Sequence, residues 1–104
     1  MVSTPATPEA PATAPDAPIR VPADVLVREL AGEAVLLDLR SESYFGLDPV
    51  GTRMWQAIVE RGSLRGALEA LEGLWDVEPA RLQRDLEGLV AELTAQGLVV
   101  VGAP

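Results

Sequence analysis

The sequence predicts an α+β domain in which three antiparallel strands precede three helices. Two observations carry that expectation. Between Val25 and Leu47 the apolar residues come in short runs broken by turn residues, and after Leu47 they recur at helical spacing. The length of 104 residues sets the limit, room for one small domain.

The chain opens with MVSTPATPEAPATAPDAPIR, in which five prolines lie between Pro5 and Pro18 among Ala, Thr and Ser. Almost nothing there is large and apolar, so ordering the segment would cost more entropy than its burial returns. Residues 1–20 are predicted to be a disordered arm of polyproline-II character, with a Pro-rich ligand as the alternative role. The domain proper spans residues 21–101.

Val25, Leu26 and Val27 start the first strand, and Gly32 suits the tight turn that follows Leu30 and Ala31. Ala34 to Leu39 form the second strand. Val35, Leu37 and Leu39 share one face, which places Asp38 on the other, solvent side. Arg40, Ser41 and Glu42 turn the chain into a third strand, Ser43 to Leu47, whose Tyr44 and Phe45 favour a half-buried pleated surface. Asp48 is placed to cap the first helix, and Pro49 fits its first position, where a missing N–H costs nothing. Val50, Met54, Ile58 and Trp55 supply that helix's apolar stripe and Gly62 ends it. Ser63 caps the second helix, with Leu64, Ala67, Leu68, Leu71 and Trp75 at helical spacing and Gly73 as a possible early stop. Pro79 opens the third, which carries Leu82, Leu86, Leu89 and Leu93 on one face. Gly97 suits a left-handed stop from which Leu98 packs back on Leu93, with a short strand after it. Helices two and three form a helix-turn-helix pair, so the whole is winged-helix-like with its strands first.

Composition removes several function classes. There is no Cys and no His, hence no disulfide, no thiolate or imidazole metal site and no thiol nucleophile. All eight basic residues are Arg, against sixteen acidic ones, and a net charge of −8 repels nucleic acid. The third helix, read as a DNA-recognition helix, sets Arg81 and Arg84 against Asp85, Glu87 and Glu92, an acidic excess. No run approaches the ~18 apolar residues of a membrane span, and no basic stretch precedes an apolar one as in a secretory signal. A cytosolic location, no membrane partner, no metal and no cofactor are expected. Asp38 and Asp48 are the one carboxylate pair that strand ends could bring together. Capping accounts for Asp48 and strand alternation for Asp38, so no catalytic residue is expected.

One feature admits a functional reading beside a structural one. The third strand is an edge of a three-strand meander, and edges are usually blunted by Lys, Pro or a bulge. Ser43–Leu47 has none of these and offers Tyr44, Phe45 and Gly46 instead. An extended peptide adding to that edge is the functional reading; simple burial of the aromatic pair under the third helix is the other. On that helix Arg81, Asp85, Gly88 and Glu92 form a second stripe. Gly88 costs about 1 kcal/mol of helix propensity against Ala, which points to close packing by the sheet or by a bound peptide.

The segments VLLDLRSESYFGLDPVGTRMWQAI and SLRGALEALEGLWDVEPARLQRDLEGLVAELTAQGLV resemble the PqqD-like family of peptide-recognition domains, across residues 21–101. Tyr44–Leu47 running into Asp48–Gly51 and Met54–Trp55 is the most specific element, followed by Arg84–Asp85 and Gly97–Leu98. Within the family the sequence is most similar to stand-alone recognition proteins of lasso-peptide pathways. The resemblance implies a non-catalytic protein that binds the leader of a ribosomally made precursor peptide as a strand added to the third strand, beside the third helix. It also implies two enzyme partners, a transglutaminase-like leader protease and an asparagine-synthetase-like cyclase. Carried onto this chain, the backbone of Ser43, Tyr44, Phe45, Gly46 and Leu47 supplies ladder bonds. Tyr44, Phe45 and Leu47, with Leu82, Asp85, Leu86 and Leu89, border the pockets, and which strand face looks into the groove stays open. Related sequences often place Gly where Glu42 stands, which leaves the turn's form open. Two other readings stand beside this one, a peptide chaperone for a radical-SAM enzyme in cofactor biosynthesis and an acidic winged-helix regulator.

Overall fold

The computed structural model describes residues 14–102. The order of elements is β1 (Ile19–Arg20), β2 (Val25–Leu30), β3 (Glu33–Asp38), β4 (Ser43–Gly46), α1 (Pro49–Arg61), α2 (Leu64–Glu72), α3 (Pro79–Ala95) and β5 (Val100–Val101). β2, β3 and β4 form the expected antiparallel meander in that order, and three helices follow it. β1 and β5 make a separate two-stranded ribbon, Ile19 opposite Val101 and Arg20 opposite Val100.

Local chemistry sets the boundaries. The β2–β3 turn is a two-residue hairpin, with Leu30 opposite Glu33 and both linking residues left-handed, Ala31 at φ 56° and Gly32 at φ 82°. Positive φ at both centres matches the right-handed twist of the flanking strands, which explains the tight turn. Asp48 caps α1 by accepting the Gly51 N–H at 2.7 Å, and Ser63 caps α2 by accepting the Gly66 N–H at 3.1 Å. α3 ends in a Schellman motif. The Leu98 N–H donates to the Leu93 carbonyl at 2.9 Å, and the N–H of left-handed Gly97 to that of Thr94 at 3.0 Å. Leu98 is thereby folded into the core beside Leu93.

The helices cover one face of the meander. That face carries Val25, Ala34, Leu36 and Phe45, and its partners in the core are Met54, Trp55, Ile58, Leu64, Leu71, Leu82, Leu86, Val90 and Leu93. The alternation of β3 is therefore opposite to the sequence reading. Ala34, Leu36 and Asp38 point inward; Val35 and Leu37 are half-buried on the outer face, and Leu39 is exposed. The reason lies at the two ends of β3. The Ala34 N–H donates to Thr52 Oγ1 at 2.8 Å, fixing that residue against α1. At the other end Asp38 is buried because its carboxylate organises the next turn, accepting the Arg40 N–H at 3.0 Å. Trp75 also departs from expectation, since α2 stops at Glu72 and leaves it in the link to α3.

Residues 1–13 of the N-terminal arm lie outside the described residues. Its last part, read from the sequence as separate from the domain, is seated on it. Pro18 bridges to Ser63, and the Ile19 N–H donates to the Gly62 carbonyl at 2.9 Å. Arg65 grips the Asp16 carboxylate with two bonds of 2.7 and 3.2 Å, which hold Asp16 below the usual carboxylate range and raise Arg65.

Candidate functional site

β4 ends its sheet. Its register joins Ser43 to Asp38, Tyr44 to Leu37, Phe45 to Leu36 and Gly46 to Val35, all on β3. Among the described residues no strand pairs with its other side. Ser43, Tyr44 and Gly46 are exposed, so main-chain donors and acceptors face outward along an accessible edge.

The turn into β4 is held tightly. The Glu42 N–H donates to the Asp38 carbonyl at 2.8 Å, and the Ser41 and Ser43 hydroxyls lie 2.6 Å apart. Glu42 sits at φ 59°, so the turn keeps the left-handed conformation that Gly would adopt freely, with Glu in its place. Asp38 is the pivot. The Arg40 N–H, then the Ser41 hydroxyl and the Arg40 guanidinium, hold its carboxyl below the usual range against the opposing effect of burial. Arg40 Nε lies 3.6 Å from Asp38 and 3.7 Å from Asp24. At the far end of β4, Leu47 donates to the Ala34 carbonyl at 2.8 Å, and Thr52 Oγ1 reaches the Leu47 carbonyl at 3.4 Å. One buried hydroxyl thus ties the start of β3 and the exit of β4 to α1, which fixes where the edge stands relative to the helices.

Strand alternation separates the aromatic pair. Phe45 turns toward the helices and packs against the core, half-buried. Tyr44 is 76 % exposed on the outer face, in a row with Leu37 and Leu26, and does not reach the helix side. Leu47 and Leu86 belong to the core, below any groove surface rather than on it. Leu89 is half-buried against that core, and Asp85 is exposed.

Past the C-terminal end of β4 lies a cavity of about 290 Å³, lined by Val50, Met54, Trp75, Val77, Arg81, Leu82 and Asp85. It brings together Leu82 and Asp85 of the expected set, and no residue of β4 lines it. Arg81 and Asp85, 3.9 Å apart, make a polar rim on an otherwise apolar wall. The sequence reading missed the part played by Val50, Trp75 and Val77, having assigned Val50 and Trp75 to helix cores. Val50 is 54 % exposed, and Val77 is also exposed in the α2–α3 link. An apolar pair bracketing Asp76 after a Gly stop was the signal available. On α3, a Cβ at Gly88 would meet nothing within 4 Å, so the sheet does not pack there. That leaves the stripe from Arg81 through Asp85 and Gly88 open.

Asp48 is engaged as a cap and Asp38 as a turn pivot, and among the described residues no three potential ligands cluster.

The family model described as coenzyme PQQ synthesis protein D (PqqD) matches residues 33–99. The chain belongs to the PqqD family. Two solved structures resemble this PqqD-family domain. "TbiB1 in complex with the TbiA(beta) leader peptide" is 29 % identical with a TM-score of 0.73, covering 82 % of this chain and 99 % of that one. "Lasso peptide synthetase B1 complexed with the leader peptide" is 26 % identical with a TM-score of 0.70, covering 79 % and 96 %. No curated protein matches. Among the described residues, no helix of the PqqD-family domain is long and apolar enough to cross a membrane.

Proposed function

We propose that this PqqD-family domain captures the leader of a ribosomally made precursor peptide by strand addition to β4, and presents it to the processing enzymes of lasso-peptide biosynthesis in the cytosol. The single observation that carries the reading is the one-sided pairing of β4 beside an open apolar cavity. Support comes from likeness to two proteins whose structures hold leader peptides. The domain acts by binding and uses no cofactor.

On this reading the leader's main chain bonds to the outward groups of Ser43 through Leu47. Its alternate side chains fall on two faces. One set lies against Phe45 and the side of α3 that carries exposed Asp85 and half-buried Leu89, with one side chain entering the cavity above Leu82. The other set extends the outer row of Leu26, Leu37 and Tyr44. Leu47 and Leu86 support the groove from beneath. Fixing the leader raises the effective concentration of the attached peptide near a transglutaminase-like protease and an asparagine-synthetase-like cyclase. A leader that orders on binding loses entropy, so affinity rests on a few anchored side chains.

The family description favours a second reading, service to an enzyme of cofactor biosynthesis. Calorimetry distinguishes them. The leader of a short lasso-type precursor encoded beside this chain should bind one-to-one with a negative heat-capacity change. Binding of a cofactor precursor peptide instead, with no heat from the lasso-type leader, would favour the second reading.

A further inference from the structure

At the opposite end of the sheet from β4, β2 is also an edge, pairing only with β3 among the described residues. Between it and α1 runs a second groove, of about 450 Å³, lined by Val21, Val27, Glu29, Trp55, Gln56, Val59 and Glu60. Its floor is apolar, with Val27 39 % and Val59 50 % exposed. Its rim is acidic, and no Arg lines it. Gln56 donates to one oxygen of Glu29 at 2.8 Å, and among the described residues neither Glu29 nor Glu60 has an Arg within ion-pair distance.

We infer that this second edge is a docking site for an extended segment of a protein partner in which an apolar residue and an Arg or Lys stand two positions apart. The geometry selects those features separately. A one-sided strand accepts another strand, and Val27 and Glu29, opposite inward Leu36 and Ala34, share its helix-facing side, so the guest residues that meet them are also two apart. The valine floor takes the apolar residue. The carboxylates of Glu29 and Glu60, neither in an ion pair among the described residues, take the cation, drawn also by the −8 charge of the chain. β2 and β4 are separated by β3, so a segment held here leaves the β4 edge free. Two chains can then be held at once on one sheet, each raising the other's effective concentration. The inference does not depend on what occupies β4.

The test is an amide-resonance titration of the full chain with the end-blocked six-residue peptide Val-Ser-Arg-Ser-Val-Ser. A serine–arginine peptide of equal charge serves as control. Shifts centred on Val27, Glu29, Gln56, Val59 and Glu60 are expected, with affinity at least tenfold above the control. Val59→Asp should weaken binding about tenfold. Glu60→Arg, an exposed change that leaves the floor intact, should do so too if Val59→Asp fails to fold. Equal affinity for both peptides would reduce the effect to bulk charge and overturn the inference. Shifts confined to β4 and α3 would overturn it as well, as would loss of the groove resonances to self-association before peptide is added.

Discussion

Gly88→Ala separates the stability of the fold from its capacity to bind. Gly88 lies in the interior of α3 with exposed surroundings, and a Cβ built there meets no atom within 4 Å. The change therefore adds no clash and recovers the helix propensity that Gly forfeits, roughly 0.8–1.0 kcal/mol. For a domain of this size that corresponds to a rise in Tm of about 4–8 °C. The same methyl group stands on the stripe with Arg81 and Asp85, where the leader is proposed to lie. A chain packed closely against Gly88 would have to move away, at a cost of about 1–3 kcal/mol, or about 5- to 150-fold in Kd. Thermal unfolding followed by circular dichroism, and leader calorimetry on the same preparation, read the two effects. The expected result is a more stable protein that binds less well. A Tm that is unchanged or lower would refute the open environment of Gly88. A raised Tm with leader affinity within twofold of the parent would refute passage of the leader over this stripe.

Other changes probe how the edge is held. Glu42→Gly removes the strain of a left-handed non-Gly residue, about 1–2 kcal/mol, less the roughly 0.5–1 kcal/mol that Gly loses in backbone entropy. A net gain of about 0.5–1 kcal/mol in chemical denaturation is expected, and a loss would mean that the Glu42 side chain itself stabilises the turn. Thr52→Val leaves the buried Ala34 N–H without its acceptor and should cost about 1–3 kcal/mol. A smaller effect would show that another group satisfies Ala34. In acid, the carboxyls of Asp38 and Asp16 are held below their ordinary value of 3.8. Their contribution to stability is thus full above about pH 4 and is lost as pH falls through their lowered values. Asp38→Asn should flatten that acid limb in a pH series of denaturation curves; an unchanged limb would assign the acid sensitivity to other groups.

Much of the fold could be read from punctuation. Asp48, Pro49, Ser63, Pro79 and Gly97 each carry a local physical reason for a helix to start or stop, and each does so. The facing of β3 could not, because both of its faces are apolar. Long-range bonds decide it, from Ala34 to Thr52 and around the turn at Asp38, and alternation is silent about them. Asp38 was assigned to solvent for the same reason, since a carboxylate whose partners are turn N–H and hydroxyl groups is stable when buried. The open edge at β4 was legible because Ser43–Leu47 lacks any blunting residue. The neighbouring cavity was not, because Val50 and Trp75 occupy helical spacings that ordinarily signal core. The contacts of residues 14–20 with the domain could not be read from composition, because the bonds at Ile19 and Arg65 are tertiary.

Amide hydrogen exchange, measured residue by residue with and without the leader, goes furthest toward the claim that β4 receives the guest strand. Outward-pointing amides within Ser43–Leu47 should gain at least tenfold protection when the leader is added, while those along the free side of β2 stay unchanged. Unaltered exchange throughout β4 in a saturated complex would contradict it.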